Sequence, residues 1–405
     1  MTGPFEGKRI VLGVSGSIAA YKAADLASKL TQAGALVDVL LTQAATQFVS
    51  PLSFRSLTHR AVVTDMFDVD SPDAVEHVTL AKAADVLVVA PATANTLAKL
   101  AHGMADDPVS LTALATGAPV LVAPAMDAGM WEHPAVQANA RTLQERGVTI
   151  IGPAHGRMAS GLEGYGRLVE VPELLGRIAQ ALGRNGNLAG LTVVVTAGGT
   201  QEPIDAVRVV TNRSSGRMGY AIAEAARDRG AHAVLVAAST ALPDPPGVEC
   251  VHVRTAEEMR SAVLAACRSA HALVMAAAVA DYRPAAPNAR KLKKEDSAIL
   301  QVPLERTADI LMDARRDIVR VGFAAESDDL LRNARVKLEA KALDLIAAND
   351  ITQSDAGFDV ETNRVTLVSK DGAEELPLLS KYDVAARIMD RVAALLAAKG
   401  VTAVR

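Results

Sequence analysis

The chain has 405 residues, of which 50% are hydrophobic and 22% are charged, and its formal net charge is −4. This balance is typical of a globular protein of two or three domains and excludes a disordered chain. The slightly negative charge gives no support to nucleic-acid or membrane-surface binding as the main role. An aromatic content of 3% also argues against a platform that stacks bases.

The two cysteines, Cys250 and Cys267, are not spaced like metal ligands. A reduced, cytoplasmic protein is therefore expected. The first residues lead from Lys8 directly into an apolar strand, which is unlike a signal peptide. No apolar run approaches the roughly 18 residues of a membrane span, so we do not expect a membrane as partner. The negative net charge likewise gives no reason to expect a nucleic acid as partner.

The chain opens with the pattern of a βαβ unit. Residues 8–14 predict a strand, residues 18–32 a helix and residues 37–41 a second strand. The turn after the first strand holds Gly13 and Gly16, which favour either a tight structural turn or a phosphate cradle, and the spacing leaves both open. The second strand ends without the acidic residue that binds the ribose of NAD, so NAD is not the expected cofactor.

Two further apolar runs, residues 85–90 and 119–123, predict parallel strands that are covered on both faces. A proline-containing loop follows each strand, at the position where ligands bind in such sheets. The loops supply polar groups and an apolar wall that would suit a flavin: Thr93, Asn95 and Asp127 are polar, and Met126, Met130 and Trp131 are apolar.

His77 precedes the first of these strands, at the predicted start of a helix. A single histidine in such a place is more often a surface or hydrogen-bonded residue than a catalytic one. The position of His77 by itself therefore favours a surface or hydrogen-bonded residue. A catalytic role depends on the family resemblance described below.

Residues 182–190 are rich in Gly and Asn and show no periodicity, so they predict a linker. After it the alternation resumes, with strands at 192–196, 234–238, 273–277, 319–324 and 343–347, and helices at 220–229, 328–342 and 381–398. Residues 364–368 and 375–379 look like a hairpin. Both halves are thus predicted to be open, mainly parallel, Rossmann-like α/β/α domains.

The stretch over residues 193–219 predicts an anion site. Its buried strand leads through glycines to Ser214-Ser215-Gly216, and the following helix would aim its positive end at the same point. Lys337 and Lys341 are like charges on one helix face, which is unfavourable unless an anion lies between them. Together with the basic loop 290–294 they suggest a triphosphate, although such a charge run is by itself more often a solvated face.

Ordered motifs span the whole chain. In the second half they are AGGTQEPIDAVR (197–208), TNRSSGRMG (211–219), AAAVADYRP (276–284), KLKK (291–294), TADI (307–310), VGFAAE (321–326) and LIAAND (345–350). In the first half they are SGSIAAYK (15–22), EHVTLAKAAD (76–85), APATANTLAKLAHGMADD (90–107), PAMDAGMW (124–131) and GYGR (164–167).

These motifs resemble the bifunctional phosphopantothenoylcysteine decarboxylase/phosphopantothenate–cysteine ligase family of coenzyme A biosynthesis. The first half is also similar to the flavoprotein family of homo-oligomeric cysteine decarboxylases. The resemblance implies an FMN-dependent decarboxylase domain at residues 1–181, a linker at 182–190 and a CTP-dependent ligase domain at 191–405.

In the ligase half, the resemblance implies that Mg·CTP activates the carboxylate of 4′-phosphopantothenate as an acyl-cytidylate, which the amine of cysteine then attacks. Asn212 would hold the acyl intermediate, while lysines and Mg²⁺ offset the charge of the phosphates. CTP would be bound by Asp281, Lys291, Thr307, Ala308, Asp309, Ile310, Phe323, Lys337 and Lys341. Nothing in the spacing distinguishes cytosine from another base.

In the flavin half, the resemblance implies that FMN oxidises the cysteine moiety of 4′-phosphopantothenoylcysteine to a thioaldehyde. Loss of CO₂ then gives a stabilised ene-thiolate, and return of the electrons gives 4′-phosphopantetheine. His77 would be the active-site base, and Asp127 and Met130 would bind the substrate. FMN would lie near Ser15, Gly16, Ser17, Thr93 and Asn95.

Two residues depart from the family pattern. Asp127 stands where the family has Asn, and an ionised carboxylate would repel the substrate carboxylate that an amide could bind. Ser160 stands where the family has a cysteine that protonates the ene-thiolate, and a hydroxyl is a much weaker acid than a thiol. Because the rest of this half matches, we favour a working decarboxylase variant.

Two other hypotheses stay open at this point. One is an active ligase whose flavin half only binds FMN and builds the oligomer. The other is a flavin-binding regulatory subunit, against which the intact ligase motifs argue. The resemblance further implies trimers of the flavin domain and dimers of the ligase domain, and a dodecamer would satisfy both symmetries.

Overall fold

The computed structural model describes residues 3–66, 76–292, 301–326, 329–350 and 360–403. The chain forms two compact units, Met1–Leu182 and Gly183–Arg405. The predicted linker begins at this boundary, and its Leu188 is fully buried in a hydrophobic core of the second unit. No described helix has the length and apolar character that a membrane crossing needs.

Six parallel strands form the sheet of the first unit. Their bounds are β1 Arg9–Val14, β2 Leu36–Leu41, β3 Val62–Val63, β4 Val86–Ala92, β5 Val120–Pro124 and β6 Thr149–Ile150. The strand order is β3-β2-β1-β4-β5-β6, so the chain reverses its winding direction between β1 and β4. A separate antiparallel hairpin consists of β7 Ala154–Arg157 and β8 Glu163–Arg167.

Helices cover both faces of this sheet. They are α1 Ala20–Gln32, α2 Pro51–Thr58, α3 Glu76–Ala83, α4 Ala94–His102, α5 Pro108–Ala115, α6 Ala128–Glu132, α7 Pro134–Glu145 and α8 Val171–Gly183. One core contains α1 and α8 residues such as Leu26 and Ile178, and the core on the opposite face contains α4 and α7 residues such as Leu97 and Leu143. The near-continuous apolar strands that the sequence predicted are therefore buried on both sides.

The second unit is built on an eight-stranded sheet. Its strands are β9 Thr192–Ala197, β12 His232–Ala237, β13 Glu249–His252, β14 Ala272–Met275, β17 Val319–Glu326, β18 Leu345–Asp350, β20 Val365–Ser369 and β21 Gly372–Glu375. Short ribbons pair β10 Gln201–Pro203 with β11 Val209–Thr211, β15 Tyr282–Pro284 with β16 Leu304–Arg306, and β19 Thr362–Asn363 with β22 Leu379–Ser380.

The strand order of the large sheet is β13-β12-β9-β14-β17-β18-β20-β21, and β20 is antiparallel to both of its neighbours, β18 and β21. Five helices accompany it: α9 Arg217–Arg227, α10 Ala256–Ala266, α11 Ile310–Asp313, α12 Leu330–Ala340 and α13 Lys381–Ala398. Residues of α9 and α13 fill the core on one face, and residues of α10, α11 and α12 fill the core on the other. The predicted fold class is confirmed for both halves.

The element boundaries differ from the sequence prediction in a few places. The strands β17 and β18 run to Glu326 and Asp350 because they pair with each other from Val321 and Leu345 up to those two residues. The predicted connection after β9 contains the ribbon of β10 and β11. The second strand of the predicted hairpin begins at Gly372, directly after the turn, because the pairing closes there with Ser369.

A buried polar network joins α9 to α13. Asp228, whose side chain is 3% exposed, accepts a hydrogen bond from the Tyr382 hydroxyl at 2.7 Å and pairs with Arg227 at 2.7 Å. Burial raises the pKa of both Asp228 and Tyr382. Arg229 adds a pair with Asp390 of α13 at 2.9 Å. The network therefore holds α9 against α13, the two helices that cover one face of the sheet.

We expect Tyr382→Phe to lower the free energy of unfolding by about 1–3 kcal/mol, since it removes the donor to a buried carboxyl oxygen. Urea unfolding at pH 7 measures this loss. Tyr220→Phe is the matched control, because the Tyr220 hydroxyl bonds only to the neutral Thr240 hydroxyl among the described residues, at 3.1 Å. A loss no larger than that of the control would contradict the role given to Asp228.

Candidate active sites

In the first unit, two predicted residues meet where β1 and β4 end. The Ser15 hydroxyl donates a hydrogen bond to the Pro91 carbonyl at 2.8 Å and accepts one from the Thr93 amide at 3.0 Å. Thr93 also caps α4, because its Oγ1 accepts a hydrogen bond from the Thr96 amide at 3.3 Å. The bond between Ser15 and Thr93 therefore sets the start of α4 against the end of β1.

The residues next to Ser15 and Thr93 have small or polar side chains. A Cβ on Gly16 would lie 2.5 Å from the Cβ of Ala44, so the position tolerates no side chain. The Ser17 hydroxyl accepts a hydrogen bond from the Ala19 amide at 3.3 Å. Asn95 is exposed in the first turn of α4. Backbone amides and small polar side chains thus line the edge at which a ligand would sit.

The two residues that depart from the family pattern are hydrogen-bonded to each other. The Ser160 hydroxyl donates to Asp127 Oδ2 at 2.6 Å, while Asp127 Oδ1 accepts from the Gly129 amide at 3.1 Å and caps α6. The hairpin of β7 and β8 makes this possible, because the Met126 amide donates to the Gly166 carbonyl at 2.9 Å. Met130, the other predicted substrate residue, is 50% exposed on α6.

His77 is the second residue of α3, the helix that leads into β4. A crossover helix runs antiparallel to the parallel strands that it connects, so its first turn lies at their carboxyl ends. The topology thus places His77 at the same edge of the sheet as Ser15, Thr93 and Asp127.

In the second unit, a cavity of about 930 Å³ opens at the carboxyl ends of β14, β17 and β18. It is lined by almost all of the predicted ligase residues: Asn212, Asp281, Thr307, Ala308, Asp309, Ile310, Phe323, Lys337 and Lys341. Lys291 is exposed and does not line the cavity. Lys293 and Lys294 of the predicted basic loop lie outside the described residues.

Hydrogen bonds to the backbone hold several of these side chains in place. Asn212 Nδ2 donates to the Val279 carbonyl at 3.1 Å. The Thr307 hydroxyl donates to the Ala280 carbonyl at 2.6 Å, and Lys337 Nζ donates to the Phe323 carbonyl at 2.7 Å. The first two bonds tie the loops that follow β11, β14 and β16 to one another, and the third ties α12 to β17.

The predicted lysine pair has a partner within the protein. Lys341 Nζ lies 2.7 Å from Asp309 Oδ2, and Asp309 Oδ1 caps α11 by accepting from the Leu311 amide at 3.1 Å. The repulsion between Lys337 and Lys341 is therefore partly offset by a carboxylate, so it does not by itself require a bound anion. The sequence predicted Asp309 as a CTP-binding residue but not its pairing with Lys341, because only the fold brings the start of α11 to the end of α12.

Gly216 begins α9 and faces the cavity. Its φ of +77° is left-handed, and it offers no side chain to cap the helix, so the first amides of α9 have no side-chain cap. Ser214 and Ser215 precede it on the cavity wall. The arrangement matches the predicted anion site, because a helix N-terminus carries partial positive charge.

Three buried polar residues of the cavity lining were not predicted as site residues. Asn349 at the end of β18, Asn363 in β19 and Lys381 at the start of α13 are 8%, 3% and 6% exposed. Asn349 could have been suspected, because it lies at the carboxyl end of a buried parallel strand. Asn363 and Lys381 carried no such signal. The described residues contain no group of three or more His, Cys, Asp or Glu side chains that could hold a metal ion.

Two family models match the chain. A model described as "Flavoprotein" matches residues 2–183, and one described as "DNA/pantothenate metabolism flavoprotein C-terminal domain" matches residues 188–396. A solved structure of the C-terminal domain of coenzyme A biosynthesis bifunctional protein CoaBC is 39% identical, covers 52% of this chain and 98% of its own, and has a TM-score of 0.45.

Curated relatives match over nearly the full length. The coenzyme A biosynthesis bifunctional protein CoaBC of Bacillus subtilis is 45% identical over 396 residues, which cover 96% of this chain and 97% of the relative. Its counterpart in Mycolicibacterium smegmatis is 44% identical over 410 residues, with 96% and 98% covered. Since both halves match in one continuous alignment, the chain belongs to the family of coenzyme A biosynthesis bifunctional proteins.

Proposed function

We propose that this chain catalyses two consecutive steps of coenzyme A biosynthesis. The ligase domain, residues 191–405, joins cysteine to 4′-phosphopantothenate at the expense of CTP. The decarboxylase domain, residues 1–181, converts the product to 4′-phosphopantetheine. The observation that carries the proposal is the cavity of the second unit, which gathers every predicted ligase residue except Lys291.

In the ligase reaction, the substrate carboxylate attacks the α-phosphorus of CTP and pyrophosphate leaves. Lys337, Lys341 and the open start of α9 at Gly216 are the groups that offset the negative charge on the phosphates. Asn212, held by the Val279 carbonyl, faces the cavity and would bind the acyl-cytidylate. The amine of cysteine then attacks the acyl carbon and CMP leaves.

Mg²⁺ would enter this site with the nucleotide. A triphosphate commonly brings its Mg²⁺ to a protein that adds only one or two carboxylates. The exposed carboxylate of Asp281 lies on the cavity wall and fits that role, whereas Asp309 is engaged by Lys341.

The edge of the first sheet fits FMN. The loop after β1 has no room for a side chain at Gly16, and Ser15, Ser17, Thr93 and Asn95 supply polar groups. When bound, FMN supplies reversible two-electron oxidation of the cysteine moiety of the substrate. His77 would act as the base, and the pair of Asp127 and Ser160 would contact the part of the substrate that loses CO₂.

A second candidate follows from the bond between Ser160 and Asp127. Because the Ser160 hydroxyl is already donated to a carboxylate, it is poorly placed to protonate the ene-thiolate. An active ligase with an impaired flavin domain is therefore the alternative to a fully bifunctional enzyme. The homo-oligomer and the cytoplasmic location stay predictions.

We expect the wild-type protein to release pyrophosphate from CTP when cysteine and 4′-phosphopantothenate are supplied. Lys337→Gln should lower kcat/KM for CTP about 100-fold, because a cation near the phosphates is lost. Lys399→Gln is the matched control, since Lys399 also donates to a backbone carbonyl, that of Ile318, but lies off the cavity. No pyrophosphate with any nucleotide would refute the ligase assignment.

We expect His77→Asn to reduce decarboxylation of 4′-phosphopantothenoylcysteine at least 100-fold, since a general base contributes about 10²–10⁴-fold. Ligation should be unchanged, because His77 lies in the other unit. The two reactions are followed by CO₂ and pyrophosphate release. His102→Asn, at the exposed end of α4, is the control. Full decarboxylation activity in His77→Asn would show that His77 is not the base.

We expect Asp127→Asn to retain decarboxylation, because an amide oxygen can still accept the hydrogen bond from Ser160 and an amide does not repel the substrate carboxylate. Mass-resolved product analysis measures the outcome. An accumulated, oxidised and decarboxylated product in the wild type would favour the impaired flavin domain. A loss of activity above tenfold in Asp127→Asn would instead show that the carboxylate has a role of its own.

A further inference from the structure

Arg320 is a buried cation of β17 that does not line the ligase cavity. The residue is 2% exposed, and burial lowers the pKa of its guanidinium. In the described part of the chain, its three side-chain nitrogens are bonded to two carbonyl oxygens and to no carboxylate. Nη1 and Nη2 each donate to one carbonyl, and Nε has no partner there. A buried charge without an ionic partner is costly, so the position of Arg320 calls for an explanation.

Both carbonyls lie at the ends of helices that carry predicted nucleotide residues. Nη1 donates to the Leu311 carbonyl of α11 at 3.1 Å, and Nη2 donates to the Ala342 carbonyl in the turn that follows α12. Carbonyl groups at the end of a helix lack a partner within it, and the helix dipole favours a cation beside them. One side chain of β17 therefore holds the ends of α11 and α12 together.

The same two helix ends carry the ion pair of Asp309 and Lys341. Asp309 lies two residues before Leu311, and Lys341 lies directly before Ala342. The two charged side chains are 2.7 Å apart and line the cavity, whereas Arg320 is buried beneath them in the core. The ion pair and Arg320 thus hold one helix junction, residues 309–311 and 341–342, from the cavity side and from the core side.

A second hydrogen bond attaches α12 to β17. Lys337 Nζ donates to the Phe323 carbonyl at 2.7 Å, three residues after Arg320 along the strand. Lys341, the cap residue of α12, lies about one turn after Lys337, so the two bonds hold α12 at separate points. Without Arg320, the bond at Lys337 would remain, while the end of α12 that carries Lys341 would lose its hydrogen bond to the strand.

The location of the Lys341 ammonium depends on the helix junction. A lysine carries its charge on a flexible four-carbon stem, so the charge is held in place only where the backbone is fixed and a partner orients it. Asp309 supplies the partner, and Arg320 fixes the backbone on both sides of the pair. A misplacement of about 1 Å can cost a reaction roughly a hundredfold in rate, so a loosened junction would affect catalysis.

We propose that Arg320 is a positioning residue of the ligase. It acts through Lys341, by holding the ends of α11 and α12 so that the ammonium of Lys341 lies beside the phosphates of the nucleotide. This inference rests on the proposed ligase function. Arg320 itself contacts no substrate, because it is buried in the core.

Arg229 provides a matched control for a purely structural role. Its Nη1 donates to the Ala225 carbonyl and its Nη2 to the Ala386 carbonyl, each at 3.0 Å, so it also bridges two helices, α9 and α13. It follows the end of α9 that is remote from Gly216, and it does not line the cavity. An effect of Arg320 that Arg229 lacks would therefore reflect the position of Lys341 rather than helix bridging in general.

Pyrophosphate release at varied CTP, with cysteine and 4′-phosphopantothenate saturating, tests the proposal in two backgrounds. We expect Arg320→Met, which removes both hydrogen bonds and keeps an unbranched apolar side chain, to lower kcat/KM for CTP at least tenfold in the wild-type background. In the Lys341→Gln background the same change should cost less than twofold, because residues that act through each other are not additive. Arg229→Met should cost less than twofold in either background.

Hydrogen exchange in the free protein measures the helix junction without the reaction. The amides of Ala314 and Leu343 are hydrogen-bonded at the ends of α11 and α12. Arg320→Met should speed the exchange of both amides at least tenfold, whereas Arg229→Met should leave it unchanged. Unchanged exchange at both amides in Arg320→Met would overturn the proposal.

If Arg320→Met does not fold, Arg320→Lys gives a second measure, because lysine keeps the charge but lacks the rigid fork that reaches two carbonyls. We expect it to lower kcat/KM for CTP at least threefold in the wild-type background and less than twofold with Lys341→Gln. For either substitution, an equal loss in both backgrounds, or no loss in either, would overturn the proposal. Absence of pyrophosphate release in the wild type, together with faster exchange in the Arg320 variant, would instead count against the proposed ligase function.

Discussion

Parallel strands all end at the same edge of a sheet, and in both units this constraint decides where polar groups can gather. The strands are buried on both faces, so the loops after them are the first places where the chain can present backbone amides and polar side chains to a ligand. Ser15, Thr93 and Asp127 follow three neighbouring strands of the first sheet. The ligase cavity opens at the corresponding edge of the second sheet.

Around the ligase cavity, hydrogen bonds to backbone carbonyls hold the side chains before any substrate arrives. Lys337, Thr307 and Asn212 each donate to a backbone carbonyl of another segment, and Lys341 is paired with Asp309. Groups that are already oriented need little reorganisation during the reaction. Such preorganisation is the main source of electrostatic stabilisation in active sites.

The motifs and apolar runs predicted the central strands of both sheets, the helices α1, α9, α12 and α13, and the family, because each of these depends on residues that are close in sequence. They also identified Asp127 and Ser160 as separate departures from the family pattern. In the structure the two residues are hydrogen-bonded to each other, because the hairpin of β7 and β8 folds onto α6 and brings together residues that are 33 positions apart. Sequence patterns could not reveal this pair, since neither residue alters the local periodicity on which the strand and helix predictions rely.

The sequence by itself predicted the two Rossmann-like domains, an anion site at Ser214 to Gly216 and nine of the residues that line the ligase cavity. Tertiary structure alone decided how those residues are partnered: Lys341 lies against Asp309 because α11 packs beside α12. It also brought Asn349, Asn363 and Lys381 into the lining of the cavity. The physical reason is that hydrophobic periodicity depends on residues that are close in sequence. The partners of charged and hydrogen-bonding groups depend instead on which elements the fold places next to each other.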